Sequence, residues 1–181
     1  VHKGHQKILE QLKETASQVN GETVIITFHP HPRKIVSSVP GDVKLLTTLQ
    51  EKISLLEKAG IDHLVVVPFD HHFSNLSAEA YITDFIVAYF KPHTVVIGYD
   101  HRFGKGRIGD FQLLEQVGKQ HGFVVNEISE QVLQESVVSS TKIRASIAAH
   151  DIETANTFLG HPYFFDLPLH WIVWTECIRR Q

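Results

Sequence analysis

Helical spacing and solid apolar runs alternate along this chain, and the alternation sets the expected architecture. Ile8, Leu9 and Leu12 form the stripe of a first helix, expected from about Gly4 to Val19 and ended by the turn signal Asn20-Gly21. Thr23 to Phe28 then reads as a buried strand rich in β-branched residues. It stops at His29-Pro30-His31-Pro32, because proline bars both a helix and central-strand pairing. A loop of Ser, Pro and Gly from Ser37 to Asp42 follows. Thr48 and Glu51 have the spacing of a capping box, opening a helix through Ile53, Leu55 and Leu56 to Gly60.

Leu64 to Pro68 is a second buried strand, and Ser77 is placed to cap a helix reaching about Phe90. Thr94 to Ile97 make a third strand, stopped at Gly98, before a loop rich in glycine and basic residues that runs to Gly109. Asp110 caps a helix with Phe111, Leu113, Leu114 and Val117 on one side, closed by Gly122. Phe123 to Ile128 is a fourth strand, and short helices are expected from Ser139-Ser140-Thr141 to about Ala149 and from Ile152 to Leu159. Strands alternating with helices imply right-handed crossovers and a parallel, doubly wound α/β sheet covered on both faces. In such sheets ligands bind beyond the carboxyl ends of the strands. The unusual loops all follow a strand or open a helix, so they are expected to converge on one crevice with the start of the first helix.

Composition narrows this picture only a little. With 181 residues, 43% hydrophobic and 20% charged, the chain suits one globular domain with a substantial core. A net charge of -3 gives no general nucleic-acid footprint, so anion recognition is expected to be local. No apolar run approaches the ~20 residues of a membrane helix. The single Cys177 excludes an internal disulfide framework, and with no secretory signal pattern the expected compartment is the cytoplasm.

Four stretches carry candidate chemistry. His2 and His5, three apart in the first turn of a helix, lie on one side with its unpaired N–H groups and the positive end of its dipole. Gly4 lets a ligand approach the backbone, and the set describes a phosphate site. The chain has 13 histidines, however, so two neighbours alone weigh no more for a site than for an ordinary surface. Ser139, Ser140 and Thr141 around a helix start, with Arg144 one turn on, can grip a phosphate through hydroxyls and a bidentate guanidinium. A plain N-cap with a surface arginine is the commoner meaning of that string. The loop Gly98 to Gly109, holding Asp100, Arg102 and Gly104, suits a mobile cover over phosphates, with Asp100 accepting from substrate hydroxyls. Its ordinary alternative is a solvated loop. Phe28, Pro30, His31 and Pro32 offer a rigid rim for a flat ring system, or simply a proline-stiffened loop.

Taken in order, five motifs resemble one family. They are His2-x-Gly4-His5; Thr27-Phe28-x-Pro30-His31-Pro32; Val67-Pro68-Phe69 with Leu76-Ser77-Ala78-Glu79; Gly98-x-Asp100-x-Arg102-Phe103-Gly104; and Val138-Ser139-Ser140-Thr141-x-Ile143-Arg144. The resemblance is to the FAD synthetase (FMN adenylyltransferase) module of bacterial bifunctional riboflavin kinase/FAD synthetases, within the nucleotidylyltransferases that share His-x-Gly-His. It covers about residues 1 to 163. It implies a Rossmann-like doubly wound parallel sheet and the reaction of ATP with FMN to give FAD and pyrophosphate, with Mg²⁺ held mainly on phosphate oxygens and no dedicated protein metal site. His2 and His5 would donate to the α- and β-phosphates, with Arg144 completing the catalytic set. Ser139, Ser140, Thr141 and Arg144 would hold the β- and γ-phosphates. Gly4, Asp100, Arg102 and Gly104 would bracket the nucleotide. Phe28, Pro30, His31 and Pro32 would face the flavin.

Departures from the family set further expectations. Its members carry a strand and a Gly-x-Phe-Asp-Gly-type turn before the histidine motif, whereas this chain opens on Val1. Residues 1–163 are therefore expected to be an N-terminally incomplete FAD synthetase domain that lacks its first strand. Residues 164–181, with both tryptophans and Cys177, form a divergent tail where the family continues into its riboflavin kinase domain. Kinase activity is not expected of this chain. Three alternatives remain beside the main reading: a nucleotidylyltransferase with another phosphate acceptor, a nucleotide- or flavin-binding fragment without turnover, and a metal site built from His2, His5, His29 and His31. The last is the weakest, for want of cysteine or well-spaced carboxylate ligands.

Overall fold

The computed structural model describes residues 2–36, 45–128 and 139–164. The expected loop from Ser37 to Asp42 and the tail beyond Phe164 lie outside them. Helix α1 (Lys3–Gln18) leads into strand β1 (Val24–His29) and a helical turn, α2 (Arg33–Val36). Helix α3 (Leu49–Lys58) precedes strand β2 (His63–Pro68), which is followed by the turn α4 (His71–Ser74). Next come α5 (Ala78–Ala80) and α6 (Ala88–Phe90), joined through a π-helical segment (Tyr81–Val87), and then strand β3 (Thr94–Gly98). The described chain closes with helix α7 (Phe111–His121), strand β4 (Val124–Ile128) and helices α8 (Ser140–Ala148) and α9 (Ile152–Leu159).

The helix starts form as the local chemistry dictates. Thr48 Oγ1 accepts from the Glu51 backbone N–H at 3.2 Å, while the Glu51 carboxylate accepts from the Thr48 N–H at 2.7 Å. Ser77, Asp110 and Ser139 each accept from the backbone N–H three residues on, at 3.0, 3.0 and 3.3 Å, and so satisfy donors that a helix start leaves free. Between Ser77 and Phe90 the expected single α-helix widens into a π-helix. Ile82 and Ile86 are buried on it, while Tyr81 and Phe85 join Phe73, Phe69 and Phe28 in a run of aromatic contacts with centroids 5.1–6.1 Å apart.

All strand pairing among the described residues is parallel. The strands form two ladders, β1 with β2 and β3 with β4, each with its own register: Val24 opposite His63 to His29 opposite Pro68, and Thr94 opposite Val124 to Gly98 opposite Ile128. The first register is locked at its start by Thr23 and Asp62. The Asp62 carboxylate accepts from the Thr23 N–H at 2.8 Å and from its hydroxyl at 2.6 Å, and that hydroxyl accepts from the Asp62 N–H at 2.9 Å. The strands are less buried than their apolar runs suggest: Val24 and Val66 remain 38% and 37% exposed. In a ladder of two, each strand has hydrogen-bonding groups on one side that no other described strand pairs, and its side chains have fewer neighbours than in a wider sheet.

Two apolar clusters hold the layers. One joins Ala78 and Ile82 to Ile97, Phe103, Leu114, Val117 and Phe123; the other joins Ile143 of α8 to Ala155 and Leu159 of α9. The glycine-rich loop after β3 is pinned to the first cluster. Phe103 is buried and pairs with Gly109 through N–H···O bonds of 3.2 and 3.0 Å, and the Lys105 N–H donates to the Leu76 carbonyl at 2.7 Å. Gly104, at φ +72°, lies so close to Ala78 that a Cβ would sit 2.6 Å from its Cα. A Cβ at Gly109 would collide with the Phe103 ring and the Ala78 methyl. These glycines serve close packing, in contrast to the looseness expected of the loop.

Gly104→Ala should cost roughly 3 kcal/mol or more, from the left-handed backbone plus overpacking against main chain. Gly60 has φ +73° but open space around it, so Gly60→Ala should cost only about 1–2 kcal/mol, from the backbone alone. Urea denaturation of the two variants reads the difference.

Candidate active site

One cavity of about 590 Å³ gathers residues from five elements: His2, His5 and Leu9 of α1, Phe28 and His29 of β1, Leu49, Lys52 and Leu56 of α3, Ser140 and Arg144 of α8, and Leu159 of α9. His31 and the segment Leu45 to Thr48 complete its wall. The volume lies within the usual ~300–1,000 Å³ of small-molecule sites. Cations and imidazoles line it, with no carboxylate among the described lining residues. A site of this make-up favours an anion.

His2 is the N-cap of α1 and is 9% exposed; the rings of His2 and His5 face each other at 3.9 Å between centroids. The His2 backbone N–H donates to His5 Nδ1 at 3.4 Å, which leaves the His5 proton on Nε2 in the neutral ring. His2 Nδ1 is buried and is the only such side-chain atom among the described residues with no hydrogen-bond partner. Burial lowers the His2 pKa from 6.5 to about 4. His5 is lowered as well, by burial first and then by the adjacent His2 and the Lys52 ammonium, although the residue keeps solvent-exposed surface. Both rings are thus neutral at neutral pH. A neutral imidazole carries no fixed charge and keeps one N–H to donate.

His31 follows the same logic. The Arg33 N–H donates to its Nδ1 at 3.2 Å, and burial, Arg33, Lys52 and Arg144 hold its pKa below the ordinary value. Phe28 stands edge-on to Phe69 and tilted to Phe73, each 5.3 Å away, so its ring is braced from behind. Ser140 and Arg144 reach the cavity from the first turns of α8, whose start Ser139 caps.

Other residues singled out from the sequence stand elsewhere. Gly4 is buried within α1, and Pro30, Pro32, Ser139 and Thr141 do not line the cavity. Asp100, Arg102 and Gly104 do not line it either: Arg102 Nη1 pairs with the Asp110 carboxylate at 3.0 Å, and Gly104 packs on Ala78. His2, His5, His29 and His31 do not make a metal centre, since no group of three or more His, Cys, Asp or Glu is placed to hold an ion among the described residues. Sequence reasoning missed Lys52. A signal existed, because Lys52 sits in the first turn of α3, where the helix dipole disfavours a cation.

Parallel strands alternating with helices make the chain an α/β protein, and this architecture is consistent with a nucleotidyltransferase-like fold. Residues 1–142 match the family described as FAD synthetase, and the chain belongs to that family. It is 37% identical over 163 residues to the bifunctional riboflavin kinase/FMN adenylyltransferase of Listeria monocytogenes, an alignment covering 90% of this chain and 51% of that protein. The proteins of the same name from Escherichia coli and Bacillus subtilis are 34% and 33% identical, with 90% and 91% of this chain covered and 52% and 51% of theirs. The chain therefore spans about half the length of these curated relatives. A crystal structure named as a macrolide-efflux protein from Streptococcus pneumoniae shares the fold, with a TM-score of 0.75 at 24% identity over 90% of this chain and 52% of that one. No described helix is long and apolar enough to cross a membrane.

The lowered His2 pKa has a definite sign. Below pH 6.5 the unfolded chain takes up a proton on His2 that the folded chain refuses until about pH 4, so stability falls as pH drops through that window. His2→Gln should flatten the fall by no more than ~3 kcal/mol in total. Urea midpoints measured across the window would show it.

Proposed function

We propose that this chain carries an FMN adenylyltransferase site that joins ATP and FMN into FAD and pyrophosphate. One observation carries the reading: a single cavity brings His2, His5, Ser140 and Arg144 together with the Phe28–His31 rim. Phosphate-binding groups and an aromatic edge thus share one space. Family membership and the curated relatives, whose names include this activity, support it.

In this reading an oxygen of the FMN phosphate forms a bond to the α-phosphorus of ATP as the α–β bridging P–O bond breaks. Pyrophosphate leaves, and nothing is oxidised or reduced. No covalent enzyme intermediate is required, so catalysis consists of alignment and charge stabilisation. His2 and His5, neutral and at the positive end of α1, donate to phosphate oxygens as negative charge gathers there. Arg144 supplies the fixed positive charge, with Ser140 and the start of α8 beside it. Phe28 and His31 offer the flavin an edge. Mg²⁺ fits as an ion carried on the phosphates of ATP, because the described cavity wall lacks carboxylates; it would neutralise phosphate charge.

Several finer assignments belong to the same proposal. The two parallel ladders are read as parts of a Rossmann-like doubly wound sheet. Residues 1–163 are read as the adenylyltransferase domain and 164–181 as a divergent tail. Asp100, Arg102 and Gly104 are read as bracing the nucleotide side from outside the described wall. Small-molecule substrates and a cytoplasmic setting complete the reading.

Pyrophosphate release from ATP and FMN tests it directly. His2→Ala and His5→Ala should each lower kcat by about 100-fold or more, the scale of a lost transition-state donor. Near-normal kcat in both, or turnover with phosphopantetheine in place of FMN, would sink the assignment.

A further inference from the structure

Lys52 is a cation that the structure leaves half satisfied. It projects from the first turn of α3 into the cavity, where its ammonium donates to Thr27 Oγ1 at 2.9 Å. An ammonium has three protons to donate, and among the described residues no carboxylate lies within ion-pair distance of this one. Its location opposes the helix dipole, and partial burial lowers its pKa, so both its site and its surroundings disfavour the charge. An uncompensated cation in a cavity is stabilised when an anion enters.

Two cations from different elements face this cavity, and His31 feels both of them. Arg144 stands on α8 beside Ser140, where a triphosphate would lie in the reading above. Lys52 stands on the other side of the fold's connectivity, held by Thr27, the residue next to Phe28 on β1. Resting on the adenylyltransferase reading, we propose that Lys52 is a specificity-determining residue that holds the phosphate monoester of the acceptor and so selects phosphorylated over unphosphorylated flavin. The aromatic rim reads the ring, and Lys52 reads whether the ring carries a phosphate. Thr27 positions the ammonium and leaves its remaining protons for the substrate.

The test compares FMN, riboflavin and ATP binding to the chain and to its K52M, K52R and T27V variants, with flavin fluorescence quenching for the first two ligands and calorimetry for ATP. K52M should weaken FMN about tenfold or more, as loss of a charge-assisted hydrogen bond does, while riboflavin and ATP affinities stay within about twofold. Retained ATP affinity also shows that the variant folds. K52R should recover most of the FMN affinity, and T27V should lose a smaller part of it. Equal losses for FMN and riboflavin would make Lys52 structural and overturn the proposal. A loss confined to ATP would assign Lys52 to the nucleotide and overturn it equally. If the unaltered chain binds neither flavin, the adenylyltransferase reading itself fails, a result distinct from a wild-type preference for FMN that K52M leaves intact.

Discussion

The register between β1 and β2 depends on one reciprocal contact. Thr23 and Asp62 exchange three hydrogen bonds of 2.6–2.9 Å at the start of the ladder, next to its first pair, Val24 and His63. A slip by one residue would send every side chain of β1 to the opposite face. Thr27 would then no longer reach Lys52, and Phe28 would leave its aromatic brace. The far end of the same strand thus owes its chemistry to a hydroxyl and a carboxylate at the near end. A second tie, from Lys13 Nζ to the Ala59 carbonyl at 2.9 Å, holds α1 to the end of α3, so two of the four helices that line the cavity share a reference.

The electrostatics of the cavity divide the work. Imidazoles whose pKa values are held down by burial and by neighbouring positive charge stay uncharged across the neutral range. Charge itself comes from Lys52 and Arg144; burial already lowers the lysine pKa, whereas the guanidinium keeps its charge. Neutral imidazoles avoid the repulsion that protonated ones would impose on these two cations.

Much of the fold was legible in the sequence because it is decided locally. Thr48 and Glu51, Ser77, Asp110 and Ser139 cap the helices they were expected to cap, and all four strands fall where β-branched runs stand. The π-helical segment was not legible in the apolar spacing; on it Tyr81 and Phe85 both meet Phe73, and Tyr81 also meets Phe103. The division into two ladders is also non-local: an apolar run indicates a strand but not its neighbours. Of the residues named by motif, His2, His5, Phe28, His31, Ser140 and Arg144 line the cavity while Asp100 and Arg102 do not, a separation that motif order cannot give because it carries no distances. Lys52 escaped notice because its one sign, a cation at the start of a capped helix, is weak until its surroundings are known.

The close approach of the glycine-rich loop to α5 bears on how this chain can drift in evolution. At Gly109 the obstacles to a side chain are the Phe103 ring and the Ala78 methyl, so a smaller residue at either position can make room and paired substitutions remain open. At Gly104 the obstacles are the main-chain Cα and nitrogen of Ala78, which no substitution removes. Gly104 is therefore fixed by backbone geometry alone, with no compensating partner. An unchanging glycine there among relatives would record a steric boundary whether or not it also meets the nucleotide.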